Sequence, residues 1–373
     1  DGLIDLRVTG VSDTEVVCEV INGGELSDRK GVNLQGVTAR MPYMSDQDRK
    51  DLLFAVENDF EFVAASFVRN ADDVKQIKGF LEENGGGFVK VISKIENRDG
   101  VENIDEIVRV SDGTMVARGD MGVEISFEEI PRLQKLIIRK TLNAGKPAIT
   151  ATQMLDSMIR NPRPTRAEIT DVANAIYDGT SAIMLSGETA VGKFPELTVA
   201  TMAKIAEKTE MDIDYVKNFE NTHINISKNI TDAISYSTVS AAHSLGAAAI
   251  ISITKSGHTS RMVSRYRPSC MIIASTPLEK VYNQLALSWG VCPVHAEEAM
   301  TTDEIFQNSV ENAVQEKLVK NGDLVVITGG MPVGVSGTTN MIKIHVVGDI
   351  LVEGKSLNNL STTGILCVIA EKK

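Results

Sequence analysis

A lysine and a glutamate stand two positions apart in the segment VISKIENRDG, residues 91–100. Because side chains alternate between the two faces of a strand, Lys94 and Glu96 would point to the same side as Ile92. The surrounding residues are too apolar for an ordinary solvated ion pair, and charges away from water persist when they are paired or bind a metal. The spacing therefore favours a functional pair over two surface charges.

A second polar group follows in the segment ARGDMGVE. Arg118 and Asp120 would share a face by the same alternation, and Gly119 leaves room for a close backbone approach. Together with Glu96, Asp120 would supply two carboxylate ligands at neighbouring strand ends, which suits Mg²⁺ or Mn²⁺. Lys94 beside them would offer positive charge to a transferring phosphoryl group or a developing enolate. Taken alone, a Gly-Asp pair is equally typical of a β-turn.

Threonines end the next predicted strand, in the segment TATQML. Thr150 and Thr152 would share a face, and a hydroxyl there could bind a substrate or position a proton. Since threonine also favours strands, a purely structural role is the alternative. The five histidines are dispersed through the second half of the chain, and we assign them no catalytic role.

Alternating strands and helices must position these residues. The predicted strands are residues 60–68, 88–96, 113–119, 146–155 and 181–188, and the predicted helices are 45–58, 72–87, 101–111, 130–145, 166–179 and 195–210. Five strand-then-helix units in a row predict a parallel sheet with crossover helices. The polar residues then lie at the carboxyl ends of the strands, where βα barrels form active sites. Five units are not eight, so if this sheet belongs to a barrel, its first strands lie upstream of residue 1.

The second half predicts a separate α/β domain. The polar stretch 211–229 is interpreted as a linker, and the strands and helices after it predict an open sheet. In the segment ITKSGHTSRM, hydroxyls, backbone N–H groups and a lysine would form a phosphate nest without the Walker pattern. Its residues are Thr254, Lys255, Ser256, Gly257, His258, Thr259 and Ser260. A second glycine-rich loop covers residues 329–340. Either loop could be an ordinary turn, but two in one small domain favour a phosphate-bearing ligand.

Composition excludes several classes of function. A chain of 373 residues with 43% hydrophobic residues predicts a soluble globular protein of about two domains. The net charge of −12, from 38 basic and 50 acidic residues, argues against a nucleic-acid surface. No apolar run approaches the ~20 residues that a membrane helix needs, and no signal peptide opens the chain. Four cysteines without CxxC spacing predict reduced, mostly buried thiols in a cytoplasmic protein.

Taken together, these motifs resemble the pyruvate kinase family. The segments KGVNLQG, AASFVR, SKIENRDGVENIDEI, SDGTMVARGDMGVE, ATQMLDSMIRNPRPTRAEITDVANA and DGTSAIMLSGETA occur in the family's order and spacing. The resemblance implies an α/β fold with a partial (β/α)8 TIM barrel, about strands four to eight, and then a C-terminal open α/β sheet domain. It divides the chain into a remnant of an inserted β domain at 1–21, the barrel catalytic domain at 22–210, an effector-binding domain at 211–347, and the start of a C-terminal extension at 348–373.

The resemblance implies an enzyme that transfers the phosphoryl group of phosphoenolpyruvate to ADP in glycolysis, giving pyruvate and ATP. Lys94 would stabilise the transfer, and Glu96 and Asp120 would bind the Mg²⁺ or Mn²⁺ ion. Gly119 and Asp120 would donate backbone hydrogen bonds to the substrate carboxylate. Thr152 would lie near the enolate carbon whose protonation yields pyruvate.

The resemblance also implies a sugar-phosphate or nucleotide effector at residues 254–259, a homotetramer, and K⁺ as a second cation whose ligands would lie outside this chain. Two other interpretations stay open. One is a Mg²⁺-dependent aldolase or lyase acting on pyruvate enolate in a similar barrel, which would not need the phosphate nest. The other is a non-catalytic, effector-binding fragment.

Overall fold

The computed structural model describes residues 4–26, 28, 31–32, 42–221, 229–297, 301–330 and 339–348. These residues form a two-stranded hairpin and two five-stranded sheets. The C-terminal extension predicted at 348–373, apart from Gly348, lies outside them, as does most of the second glycine-rich loop. Among the described helices, none combines the length and the apolar character needed to cross a membrane.

The first structural unit is the hairpin of β1 (Asp5–Val11) and β2 (Val16–Asn22), which pair antiparallel. Nearly all its side chains are exposed, because no described element packs on either face. Cys18 is therefore exposed, so the prediction that the thiols are mostly buried is wrong at this position. Cys270 and Cys292 are partly buried, and all three are free thiols.

The first five-stranded sheet contains the predicted strand-then-helix units. Its strands are β3 (Phe62–Ala65), β4 (Lys90–Ile95), β5 (Gly113–Ala117), β6 (Ala148–Ala151) and β7 (Ala182–Ile183). Its helices are α1 (Asp46–Glu57), α2 (Ala71–Glu83), α3 (Arg98–Glu102), α4 (Ile104–Val110), α5 (Arg118–Glu124), α6 (Ile130–Asn143), α7 (Arg166–Tyr177), α8 (Gly187–Ala190) and α9 (Pro195–Met211). The strands lie in chain order and every neighbouring pair is parallel, which confirms the predicted arrangement.

Local sequence explains where several of these helices begin. Ser45 caps α1 in a reciprocal capping box with Asp48, as the sequence predicts, and Thr165 caps α7 in the same way with Glu168. Each such cap contributes about 1 kcal/mol to stability. The helix predicted at 101–111 is instead two short helices, α3 and α4, that meet at Asn103.

Each face of this sheet belongs to a different hydrophobic cluster, because side chains alternate between the two faces along a strand. Val91 and Val116 belong to the large cluster that packs against the helices. Ile92 and Met115 belong to a separate cluster on the opposite face. Lys94 pairs in register with Met115 on β5. The predicted alternation along β4 therefore holds, and Lys94 continues the face of Ile92.

The second sheet is mixed, with the strand order β10-β9-β8-β11-β12. Its strands are β8 (Ala249–Ile253), β9 (Met271–Thr276), β10 (Val291–His295), β11 (Leu324–Gly329) and β12 (Met341–Val346). The remaining helices are α10 (Tyr215–Glu220), α11 (Ile230–Leu245), α12 (His258–Ser264), α13 (Glu279–Leu285) and α14 (Thr302–Gln315). Only β12 runs antiparallel to its neighbour, so the predicted open α/β sheet is confirmed.

The stretch interpreted as a linker contains part of the second core. Helix α10 buries Phe219, whose ring stacks on Tyr236 at a centroid distance of 4.9 Å and meets His243 edge-on at 5.2 Å. A single aromatic anchor gave too little periodicity for the sequence to indicate a helix there.

The two sheet units dock through the turn between α6 and β6. Gly145 in this turn has a φ of +68°, and a Cβ added to it would lie 1.8 Å from Cε of Met262 on α12. Side chains of the second unit also donate hydrogen bonds to backbone carbonyls of the first: Arg265 to Asn143 (3.4 Å), Arg267 to Gly179 (2.6 Å) and Gln284 to Phe88 (2.8 Å). Gly145 therefore lies at a close approach of the two units, where an added side chain would first meet the flexible end of Met262.

Replacing Gly145 tests this close approach. Gly145→Ala should lower the free energy of unfolding by about 1.5–3 kcal/mol, because the flexible end of Met262 must move aside in addition to the cost of a left-handed backbone. Gly85→Ala is the matched control, because Gly85 has a φ of +78° but open space around it. That variant should lose only about 1 kcal/mol. Urea unfolding followed by the fluorescence of the single tryptophan, Trp289, measures both, and equal losses would contradict the docking argument.

Candidate active site

The predicted site residues follow three neighbouring strands at one edge of the first sheet. Lys94 is the penultimate residue of β4, and Glu96 comes directly after that strand. Asp120 lies in the first turn of α5, which follows β5 without a loop. Thr152 comes directly after β6. Since the strands are parallel neighbours, all four residues meet at the carboxyl edge of the sheet.

Lys94 and Glu96 form the central pair of this edge. Lys94 Nζ lies 2.7 Å from Oε1 of Glu96, and it also donates a hydrogen bond to the hydroxyl of Ser66 (2.7 Å). The Glu96 side chain is fully buried, whereas 23% of the Lys94 side chain is exposed. The backbone N–H of Phe67 donates to Glu96 Oε2 (2.6 Å). Oε1 of Glu96, by contrast, has no hydrogen-bond partner of good geometry.

The turn after β3 supports this pair, although no sequence motif indicated it. Phe67 has a φ of +54°, which is unusual for a residue with a bulky side chain. In that conformation its N–H contacts Glu96. The hydroxyl of Tyr43 donates to the carbonyl of Ser66 (2.8 Å) and so fixes the same turn. The available signal was the position of Ser66 and Phe67 at the end of a predicted strand.

Negative charge is concentrated around the pair. Burial, and after it the nearby charges of Asp99 and Glu96, raise the pKa of Glu124, although a backbone hydrogen bond from Arg98 opposes this. Burial and neighbouring carboxylates, Glu96 among them, also raise the pKa of Tyr43. Carboxylates that raise the pKa of a neighbouring acid create a negative potential, and such a potential stabilises a cation.

These residues fit a divalent metal ion. Within the described part of the chain, no three His, Cys, Asp or Glu side chains form a complete cluster of ligands. Mg²⁺, however, is commonly bound by one or two carboxylates and completed by water and substrate oxygens. The buried Oε1 of Glu96 contacts the ammonium group of Lys94 (2.7 Å) without a well-aligned hydrogen bond, and it would supply the first oxygen. Asp120 at the next strand end is half-buried and would supply the second oxygen.

Arg118 does not share a face with Asp120, because the strand ends at Ala117 and helix α5 begins at Arg118. Its guanidinium turns toward the end of β6, where it donates to the carbonyls of Ala151 (3.2 Å) and Thr152 (2.7 Å). It also forms an ion pair of 2.7 Å with Asp171 on α7. Arg118 therefore holds the backbone of the next strand end in place.

Thr152 is held in a strained conformation with a φ of +69°. Its hydroxyl donates to the carbonyl of Ala151 (2.6 Å) and accepts from the backbone N–H of Gly119 (2.7 Å). This bond brings two of the predicted substrate-binding residues together. A substrate carboxylate would have to compete with the threonine hydroxyl for the N–H of Gly119.

A cleft of about 1010 Å³ opens beside this edge. Its wall on the side of the site includes Ser66, Phe67, Asn97, Arg98 and Glu124. Its size is that of a small-molecule site.

The predicted phosphate nest lies in the loop between β8 and α12. Gly257 has a φ of +74° at the start of the helix. Lys255 is exposed, whereas Thr254 and Thr259 are buried. The hydroxyl of Thr259 is hydrogen-bonded to that of Thr339 (2.7 Å), which joins this loop to the end of the second glycine-rich loop. The six predicted effector residues therefore lie in the loop after β8 and the first turn of α12, but they differ in their accessibility.

Two family models match the chain. The model of the pyruvate kinase barrel domain matches residues 1–199, and that of the pyruvate kinase alpha/beta domain matches residues 232–345. Together with the two sheets, these matches confirm the predicted fold class.

Individual relatives agree with the family models. The chain is 52% identical over 359 residues to a pyruvate kinase of Sporosarcina psychrophila, 52% over 347 residues to one of Clostridium acetobutylicum, and 50% over 366 residues to one of Geobacillus stearothermophilus. These matches cover 96%, 93% and 98% of this chain. They cover 61%, 73% and 62% of the respective relatives, so the chain spans about three fifths to three quarters of their length.

The strain at Thr152 can be tested by comparing alanine with glycine at two positions. Both Thr152→Ala and Thr152→Gly remove the hydroxyl, but only glycine relieves the positive φ. The glycine variant should therefore be more stable by about 1 kcal/mol. At Thr150, inside β6, the order should reverse, because glycine weakens a strand. If urea unfolding shows the same variant, alanine or glycine, to be the more stable one at both positions, the backbone of Thr152 is not strained.

Proposed function

Because the chain belongs to the pyruvate kinase family, we propose that the protein transfers the phosphoryl group of phosphoenolpyruvate to ADP, giving pyruvate and ATP. One observation supports this proposal most strongly. The buried carboxylate of Glu96 has an oxygen without a good hydrogen bond, and it lies against the ammonium group of Lys94 at the carboxyl edge of the sheet.

Lys94 is proposed to stabilise the phosphoryl group during transfer. Phosphoryl transfer is catalysed largely by positioning and by charge stabilisation. Glu96 and Ser66 hold the ammonium group from two sides, and part of the side chain reaches solvent. Lys94 is thus both oriented and accessible to a substrate oxygen.

Glu96 and Asp120 are proposed to hold Mg²⁺ or Mn²⁺. A bound divalent ion would neutralise phosphate and enolate oxygens at this edge. The backbone N–H groups of Gly119 and Asp120 are proposed to bind the substrate carboxylate. The backbone N–H of Phe67 holds the Glu96 carboxylate in place. The oxygen proposed to bind the metal is therefore positioned even when no ion is bound. K⁺ is proposed as the second cation of the reaction.

Thr152 is proposed to lie beside the enolate carbon. Once the phosphoryl group has left, this carbon must gain a proton to give pyruvate. The hydroxyl of Thr152 already bridges Gly119 and Ala151, so it is fixed in a narrow range of orientations. A group fixed in this way can direct a proton to one face of the enolate.

We further propose that residues 22–210 carry catalysis and that residues 211–347 bind a phosphorylated effector, a sugar phosphate or a nucleotide, at residues 254–259. The hairpin at 1–21 is assigned to an inserted β domain and residues 348–373 to a C-terminal extension. The enzyme is proposed to act in the cytoplasm as an allosterically regulated homotetramer. Matches to both domain models favour this function over an aldolase or lyase.

Lys94→Met tests the catalytic proposal. We expect it to reduce pyruvate formation from phosphoenolpyruvate, ADP and Mg²⁺ by about 10²–10³-fold, because it removes charge stabilisation from the transition state. Lys90→Met is the control, since Lys90 lies at the opposite end of the same strand and should leave the rate unchanged.

The assay should use this chain and a chimera that adds to it the segments of the Clostridium acetobutylicum relative outside the matched region. An active chimera that Lys94→Met does not slow would overturn the role of Lys94. Pyruvate release without ADP would instead indicate a lyase. An inactive chimera that still binds the effector would support the non-catalytic alternative.

The effector proposal predicts a binding defect in Lys255→Ala. Removing a charge-assisted contact to phosphate should raise the dissociation constant for a hexose bisphosphate or AMP about tenfold. Lys320→Ala removes an exposed lysine elsewhere in the same sheet unit and should have no effect. Equal affinities of both variants and the parent chain in calorimetry would place the effector elsewhere.

A further inference from the structure

Glu188 is a buried carboxylate near the carboxyl edge of the first sheet, and the proposed function assigns it no role. It lies in the short helix α8, which follows β7, and only 1% of its surface is exposed. Leu155, whose N–H it contacts, is fully buried in an apolar cluster with Met154 and Met158. A carboxylate removed from water in such surroundings is costly unless hydrogen bonds compensate it.

Each oxygen of the Glu188 carboxylate accepts a backbone hydrogen bond from a different strand end. Oε1 accepts from the N–H of Leu155 (3.1 Å), after β6, and Oε2 accepts from the N–H of Ser186 (2.9 Å), after β7. An ionised acceptor makes such bonds stronger than a neutral one does. Glu188 therefore links the segments that follow two neighbouring, paired strands.

The segment between β6 and Leu155 contains two strained residues in succession. Thr152 and Gln153 have φ values of +69° and +55°, and neither is a glycine. Such conformations persist only when the surrounding contacts over-determine them. The contacts on both sides of this pair therefore decide whether the strain can be maintained.

Arg118 holds one end of this segment and Glu188 holds the other. The guanidinium of Arg118 donates to the carbonyls of Ala151 (3.2 Å) and Thr152 (2.7 Å). The bond from the N–H of Leu155 to Glu188 fixes the chain after the strained pair. A cation and an anion from different elements thus hold the two ends of the same turn.

We propose that Glu188 is a positioning residue for Thr152. Through the N–H of Leu155 it keeps Thr152 in the left-handed conformation, in which the threonine hydroxyl accepts from the N–H of Gly119 (2.7 Å). The consequence for catalysis rests on the proposed function: without Glu188 the hydroxyl leaves the enolate carbon, so protonation slows while phosphoryl transfer at Lys94 does not. The conformational effect itself is independent of that function.

Double substitutions test the conformation of Thr152 without an activity assay. In the parent chain, Thr152→Gly should unfold about 2–4 °C above Thr152→Ala, because glycine relieves the positive φ. Glu188→Met removes both acceptor oxygens at nearly constant length, so the turn relaxes and this difference should fall below about 1 °C. Glu188→Gln, with a single neutral acceptor oxygen, should give an intermediate difference and serves if Glu188→Met does not fold.

Glu168→Met is the matched control. The Glu168 carboxylate accepts from the N–H of Ser157 (2.7 Å), beyond Leu155 in the same connection, and it also caps α7. Its loss should lower the unfolding temperature but keep the difference between glycine and alanine at Thr152. A role in stability alone would therefore give the same result for both glutamates.

Amide hydrogen exchange measured by NMR gives a second readout. The N–H of Gly119 should exchange about tenfold faster in Glu188→Met than in the parent chain, because the Thr152 hydroxyl no longer accepts from it. Glu168→Met should keep the parent rate. If either the exchange rate or the difference between glycine and alanine is the same in Glu188→Met as in Glu168→Met, Glu188 only stabilises the fold and the proposal is overturned.

The consequence for catalysis is measured in the active chimera. Glu188→Met should raise the solvent deuterium isotope effect on kcat, because protonation of the enolate becomes the slow step. An unchanged isotope effect would overturn the link from Glu188 to proton transfer. A chimera that is inactive before any substitution would count against the proposed function instead, since the two readouts on Thr152 and Gly119 need no turnover.

Discussion

The burial of the Glu96 carboxylate is the constraint around which the active edge of the first sheet is arranged. A carboxylate removed from water is costly unless hydrogen bonds or opposite charge compensate it. Here Phe67 donates to one oxygen and Lys94 pairs with the other. The first contact requires a left-handed backbone at Phe67, and the second requires that β4 place Lys94 on the face of Ile92. The direction of the strand, the conformation of the turn and the charge of Lys94 therefore all stabilise the buried Glu96 carboxylate.

Strand β6 is likewise followed directly by a residue in a strained backbone conformation. Thr152 adopts a positive φ immediately after β6, and Arg118 holds its carbonyl from the end of β5. Such conformations persist when surrounding contacts over-determine them, and they cluster at functional sites. The buried strands supply rigidity, and the residues directly after them supply the chemistry. The proposed catalytic groups are thus positioned by backbone rather than by long loops.

Sequence patterns predicted the features that depend on local order. The alternation of side chains placed Lys94 and Glu96 on one face, and Ser45 correctly marked the start of α1. The patterns failed where a contact joins distant segments or where an element ends early. Arg118 was assigned to the wrong face because β5 ends at Ala117, two residues before the end of the predicted strand. Nor can periodicity show that Lys146 and the arginines on and directly after α12 line one cavity, since only the docking of the two sheets brings them together.

Metal binding by Glu96 is the central claim, and Mn²⁺ titration followed by electron paramagnetic resonance tests it most directly. The chain should bind one Mn²⁺ ion, and Glu96→Gln should weaken that binding at least about tenfold, because it replaces an anionic ligand by a neutral amide. Asp51→Asn, at a carboxylate that lines the neighbouring cleft, should bind Mn²⁺ like the parent chain. Equal Mn²⁺ affinity in Glu96→Gln and Asp51→Asn would contradict the account.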